Sequence, residues 1–163
     1  GRVIRTINEE HRQGGNGTME TIRVHSDFHA AHRQIGYVGK CRHVHGHTWR
    51  GTISLSTEKF PRNHLDMAID FGDLKQVFRR MDHKMLVGEA DREFVTAQGV
   101  DPEGVVVIPG SNPSVENIAY YCLDGVRKVI EHQYPGKGLK YHLELTLQET
   151  ENNIFVVETD FVI

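Results

Sequence analysis

Residues 41–47 read Cys-Arg-His-Val-His-Gly-His, a thiol followed by three imidazoles at alternate positions. Neutral imidazole is the commonest metal-ligating side chain, and in extended chain alternate residues share a face, so His45 and His47 can aim at one point. A catalytic zinc takes three protein ligands and keeps one position open for water or substrate. The pattern therefore asks for a third histidine from elsewhere and for acid/base groups nearby.

The flanking strands supply it. From Glu20 the chain alternates, with Ile22, Val24, Phe28 and Ala30 on one face, and His32 has their parity. After Gly36 and Gly39 a second alternating run places Trp49, Ile53 and Leu55 on one face, and His45 and His47 have the parity of Trp49. Paired antiparallel, the two strands bring His32, His45 and His47 to the buried side at one end. Histidine-rich stretches also occur on surfaces, but three imidazoles converging without partners on a buried face are costly, and zinc resolves that cost. His43 shares the parity and is a weaker fourth candidate, because Val44 and the approach from Gly39 interrupt regular strand geometry.

Cys41, flanked by Lys40 and Arg42 in a polar loop, suits a general base or nucleophile, or alternatively a fourth ligand closing a structural zinc site. Cys122 falls on the apolar stripe of a helix and reads as core. Asp82-His83 combines an orienting carboxylate with an imidazole, as acid/base chemistry requires, although a histidine at a helix end also complements the helix dipole. Glu149, at the end of a strand, can accept two parallel donors from a planar heterocycle or can be an ordinary exposed acid. Glu116 occupies the first turn of a helix, where an acid is expected on dipole grounds.

The remaining elements must hold these groups in place. Leu74, Val77, Phe78 and Met81 predict an amphipathic helix over 72–81, with Asp70 delivered to its start. Residues 87–110 read as irregular, with a weak helical signal over 92–98 and an apolar run at 105–108 that fits a short strand. Ser114 is placed to cap a longer helix carrying Val115, Ile118, Ala119, Cys122, Val126, Val129 and Ile130, which ends near Tyr134 before Pro135-Gly136. Two strands follow, over 139–147 and 154–158. The order predicts an α+β subunit, ββααββ, with two helices on one face of an antiparallel sheet.

The 163 residues suit one domain, read as 19–163, preceded by an extension at 1–18 that shows no sustained apolar period and is given no role. A formal charge of -3 with 25% charged residues argues against a nucleic-acid partner. No apolar run approaches the roughly 18 residues of a membrane helix. Two cysteines among eleven histidines do not make a disulfide framework, and a cytoplasmic location is expected.

Taken together, the motifs resemble one superfamily. Phe28-His29-Ala30-Ala31-His32, Cys41-Arg42-His43-Val44-His45-Gly46-His47, Asp70-Phe71-Gly72-Asp73-Leu74-Lys75, Asp82-His83, Asn112-Pro113-Ser114-Val115-Glu116-Asn117 and Glu149-Thr150 occur in the order seen in the 6-pyruvoyltetrahydropterin synthase and 6-carboxytetrahydropterin synthase (QueD) superfamily. The resemblance implies a catalytic zinc on His32, His45 and His47, a general base at Cys41 and a second acid/base relay at Asp82 and His83. It implies a pterin anchor at Glu149, with Thr150 and Glu116 as further substrate contacts. It also implies the tunnelling fold, in which subunits join their sheets into a barrel, usually as hexamers built from two trimers, with active sites between subunits. The implied activity is zinc-dependent lyase chemistry on 7,8-dihydroneopterin triphosphate. Three residues between Cys41 and His45 are similar to the bacterial 6-carboxytetrahydropterin synthases, which release acetaldehyde and triphosphate. The alternatives are the pyruvoyl type, which retains the three-carbon side chain, and a non-catalytic zinc protein. Lys84, Val87 and the segment 88–110 depart from the usual pattern and bear on the substrate.

Overall fold

The computed structural model describes residues 17–134 and 138–163, so most of the expected extension at 1–18 and the Pro135-Gly136 punctuation lie outside the described residues. Strand β1 (Glu20–His32) and strand β2 (His45–Thr57) pair antiparallel along their whole lengths, from Glu20 opposite Thr57 to His32 opposite His45. Their alternation is the cause of the pairing register. Val24, Phe28, Ala30 and His32 are buried on β1, as are Trp49, Ile53 and Leu55 on β2, and a slip of one residue would expose every one of them.

Helix α1 (Phe71–Arg79) starts where the Asp70 carboxylate accepts a hydrogen bond from Gly72 N at 2.7 Å. Leu74, Val77 and Phe78 form its buried face, two residues shorter at the C-terminal end than the periodicity predicts. The remaining turn is irregular, although Met81 stays buried. Phe78 lies directly over Gly51, where a Cβ would sit 2.3 Å from the ring. The absence of a side chain at Gly51 is what lets α1 approach the sheet so closely.

Helix α2 (Arg92–Ala97) is short, and helix α3 (Val115–Gln133) is capped by Ser114, whose hydroxyl accepts from Asn117 N at 3.2 Å. Strands β5 (Lys140–Thr150) and β6 (Asn153–Val162) form the C-terminal hairpin, pairing to β2 through β5. The buried faces of α1 and α3 meet the inward face of the sheet in one core that includes Phe28, Trp49, Ile53, Phe78, Ile118, Tyr141 and Leu145.

The sheet has the order β4-β3-β1-β2-β5-β6 and is mixed rather than wholly antiparallel. Strand β3 (Lys84–Gly88) lies parallel to β1, and strand β4 (Val105–Ile108) parallel to β3. The apolar run at 105–108 is thus a strand as expected, whereas β3 covers 84–86, to which the pattern assigns no element, and runs two residues into the stretch that reads as irregular. Leu86, Val87 and Gly88 are consecutive buried positions, so β3 has no alternation to detect.

Candidate metal and active site

The inward face at the open end of β1 and β2 carries the histidines. His32 stands directly opposite His45 across the ladder, and His47 pairs with Ala30, so the three rings cluster at one corner. Ring centroids are 4.6 Å apart for His32 and His45, 5.2 Å for His32 and His47, and 4.9 Å for His45 and His47. One ligand atom from each lies within 4.8 Å of the other two. Trp49 forms the floor, 5.1 Å from the His32 ring and 5.3 Å from the His47 ring, and its indole N–H donates to Ala30 O at 3.1 Å.

Second partners set the tautomers. His32 Nδ1–H donates to Pro113 O at 2.8 Å, and His45 Nδ1–H donates to His43 O at 2.7 Å. A carbonyl can only accept, so Nδ1 carries a proton in both rings and Nε2 is the atom each neutral ring offers a metal, the arrangement that orients metal-bound imidazoles. His43 thus acts through its backbone. Burial pushes the His32 imidazolium down to about 4, and burial also lowers His47, which keeps both neutral at physiological pH.

The donor set fits a metal on one further observation. His32 Nε2 and His47 Nε2 are buried side-chain atoms with no hydrogen-bond partner, whereas the other buried side-chain nitrogens and oxygens among the described residues pair. Nitrogen lone pairs left bare at the convergence of three imidazoles are what a zinc ion satisfies. His32, His45 and His47 would hold it. The nearest charged group is the Glu149 carboxylate, with Oε1 3.4 Å from His47 Nε2 without hydrogen-bond geometry. Glu149 therefore joins the histidine corner from the end of β5, next to Thr150, whose hydroxyl accepts from Asn152 N at 3.3 Å.

Cys41 sits half-buried on the single helical turn Lys40–Arg42 that links the two strands, outside the triad of converging ligand atoms. Its carbonyl accepts from Gln34 N at 2.8 Å, tying the two limbs of the loop together. Glu116 is exposed in the first turn of α3 and completes the dipole of that helix.

Asp82 and His83 lie elsewhere in the chain. The Asp82 carboxylate accepts from His29 N at 2.8 Å and from His83 Nδ1 at 2.9 Å, and these bonds, the backbone one first, hold it below the usual carboxylate range. His83 N in turn donates to His29 O at 2.7 Å, so one residue of β1 grips both members of the pair. His83 is held at a φ of 59°, a left-handed conformation unusual for a residue with a Cβ. Its ring faces His29, 6.1 Å away, and His29 has the parity opposite to His32. The pair consequently belongs to the outward face, at an open depression of about 690 Å³ lined among others by His29, Gly46, His47, Thr48, His83 and Lys84. Asp82 and His83 do not belong to the group of converging ligand atoms, although His47 and His83 both line that depression.

A sequence model of the family described as 6-pyruvoyl tetrahydropterin synthase matches residues 21–160. The chain belongs to this family. It is 31% identical to the 6-carboxy-5,6,7,8-tetrahydropterin synthase of Rickettsia typhi over 77% of this chain and 91% of the relative. It is 32% identical to the protein of that name from Rickettsia felis over the same shares. Among solved structures, 6-pyruvoyltetrahydropterin synthase of Plasmodium vivax, in a catalytic-residue mutant, superposes with a TM-score of 0.61 at 17% identity, covering 88% of this chain and 99% of that one. The Caenorhabditis elegans 6-pyruvoyl tetrahydropterin synthase does so with a TM-score of 0.55 at 23% identity, covering 86% and 96%. The fold is accordingly the tunnelling fold of these proteins. The family is enzymatic, and the chain is a lyase-type enzyme similar to the 6-carboxytetrahydropterin synthases, so the reading as a non-catalytic zinc protein falls away.

Several supporting groups escape sequence reasoning. The Pro113 carbonyl and the His43 carbonyl orient ligands through backbone atoms, which residue type does not announce. Arg33, next to His32, makes a bidentate pair with buried Asp91 at 2.8 and 2.5 Å, and its guanidinium stacks 4.6 Å from the Phe94 ring. The segment 88–110 is thereby fastened to the end of β1.

Proposed function

We propose that the protein is a zinc-dependent carbon-oxygen lyase that converts 7,8-dihydroneopterin triphosphate and one water to 6-carboxy-5,6,7,8-tetrahydropterin, acetaldehyde and triphosphate. The observation that carries the metal half is the pair of orphaned Nε2 atoms on His32 and His47 beside the oriented His45. The similarity to the 6-carboxy-5,6,7,8-tetrahydropterin synthases of the two Rickettsia species supports the carboxy-type product. When bound, zinc supplies Lewis-acid polarisation to substrate hydroxyls.

The chain's own residues perform the rest. Cys41 removes the proton from the side-chain carbon next to the hydroxyls, and the loop turn at 40–42 holds its thiol at the rim of the histidine corner. Glu149 accepts paired donors from the pterin ring, a pattern that favours that heterocycle in a fitted pocket, with Thr150 and Glu116 as flanking contacts. Trp49 closes the floor and keeps water from beneath the ligands. Asp82 fixes the ring of His83 through Nδ1, leaving Nε2 to move the second proton.

Because Asp82 and His83 face outward, the second relay acts on a site completed by a neighbouring copy, within a homohexamer arranged as a dimer of trimers. The protein carries no helix long and apolar enough to cross a membrane among its described residues, and a cytoplasmic location suits its substrate.

The test is incubation with 7,8-dihydroneopterin triphosphate and zinc, with products identified by mass spectrometry and acetaldehyde assayed separately. A carboxy product with acetaldehyde is expected. A three-carbon side chain retained in the product would transfer the chain to the pyruvoyl type, which the description of the matching family favours. Cys41→Ala should lower kcat by about 10²-fold or more while zinc stays bound. Full activity in that variant would reject Cys41 as the base.

A further inference from the structure

Three consecutive residues after the ligand His32 are each held by a different element. Arg33 is gripped by Asp91, Gln34 N donates to Cys41 O at 2.8 Å, and Ile35 is clamped by Asn112. The last contact uses both ends of one amide. Ile35 N donates to Asn112 Oδ1 at 2.7 Å, and Asn112 Nδ2 donates to Ile35 O at 3.1 Å. Asn112 imitates a strand partner for a loop residue that has no ladder.

The clamp is itself braced. Asn112 O accepts from Asn117 Nδ2 at 2.9 Å, and Asn117 N is capped by Ser114, so Asn112 hangs from the rigid start of α3. Gly88 permits the approach, since a Cβ there would meet Ser111 O at 2.3 Å. The next residue, Pro113, supplies the carbonyl that orients His32. Two adjacent residues at one helix N-terminus thus reach two different parts of the site: Pro113 the ligand, Asn112 the loop that carries Cys41.

We propose that Asn112 is a positioning residue that sets the Cys41 thiol relative to the three histidines, by locking Ile35 and through it the Gln34–Cys41 bridge. The inference rests on the reading of Cys41 as the base. Ile35 is itself exposed and Cys41 sits on a single turn, so the Asn112 clamp, with the Gln34–Cys41 bridge and the Arg33–Asp91 pair beside it, ties the outer limb of the loop to the body of the protein. A base displaced by an ångström loses alignment with the proton it removes, whereas zinc, held by two strands, keeps its place.

The direct readout is the alkylation rate of Cys41 by iodoacetamide in the folded, zinc-loaded protein. Cys122 does not compete, being fully buried with its thiol pushed up to about 12. In Asn112→Ala the alkylation rate should change by about threefold or more and kcat should fall about tenfold or more, with KM within about threefold and zinc stoichiometry unchanged. Asn112→Asp, which keeps the acceptor for Ile35 N and loses the donor to Ile35 O, should fall between the two. Unchanged alkylation and kcat would overturn the proposal, and so would loss of zinc, which would place the effect on His32 instead.

Should Asn112→Ala fail to fold, Ile35→Pro asks the same question. Gly36 follows with a φ of 77°, a turn that suits proline at the position before it, and the substitution deletes the Ile35 N–H and places Cδ where Asn112 Oδ1 now sits, opening the clamp from its other end. The same change in alkylation supports the clamp, and wild-type alkylation and turnover overturn it. Cys41→Ala separates the two levels: full activity there removes the reading of Cys41, whereas the labelling result stands or falls on its own.

Discussion

The two ends of the proposed chemistry are built on opposite faces of the same strands and in opposite styles. The histidine corner is inward, dry and over-determined: His32 is 1% exposed, lies on Trp49, and is oriented by Pro113. The Asp82-His83 pair is outward and open, with the His83 side chain 79% exposed and the pair held to β1 by two bonds to the backbone of His29. His47 and Thr48 are neighbours in sequence yet belong to the two different sides, because successive residues of a strand point apart. A catalytic metal needs its three ligands fixed in advance and one position left open. A proton relay presented to another molecule needs only a fixed ring and free access.

The sharpest way to break that contrast is to remove one element from each side. His32→Ala should abolish stoichiometric zinc binding, with a loss of affinity beyond the roughly 10–100-fold that an outer-shell partner costs, read by metal analysis after dialysis. Asp82→Asn should retain one zinc per chain while kcat falls about 10²–10⁴-fold, since the His83 ring loses its anchor. Mixing the two inactive chains under conditions that allow subunit exchange should restore measurable turnover, because sites made from one intact face of each chain would form. Persistent inactivity in verified mixed oligomers would place both halves in one chain.

Acid should separate the faces as well. In metal-free protein the folded pKa of His32 is about 4, below its ordinary 6.5, so the unfolded chain binds the proton first as pH falls. Stability is therefore full above about 6.5 and declines by about 3 kcal/mol as pH drops to about 4, measured by denaturant unfolding. His32→Ala should flatten that slope. On the outward face, Asp82 is held below the usual carboxylate range, so its contribution stays whole down to about pH 5 and is lost only as pH falls further, below most of the His32 window. The smallest effect tests the packing common to both: Gly51→Ala, forced against Phe78, should cost about 1–3 kcal/mol by thermal unfolding without loss of zinc.

Much of this was legible in residue order. Parity alone put His32, His45 and His47 on the buried side, and the register of β1 and β2 bears it out. Ser114 and Asp70 cap the helices they were expected to cap. Strand β3 was hidden because its buried residues run consecutively, and a segment buried on both faces has no period to read. The parallel neighbours β3 and β4 turned an expected antiparallel sheet into a mixed one for that reason.

Sequence by itself determined the clustered histidines, the helix starts and the family motifs, because each depends on side-chain type at short spacing. Only tertiary structure decided which groups serve them. Pro113 lies 81 positions from His32, and Asn112 lies 77 from Ile35, contacts made through backbone atoms or a single amide that carry no pattern along the chain. It also decided that Asp82 and His83 turn outward, since the face on which a loop residue emerges depends on which strand it docks against rather than on its own neighbours.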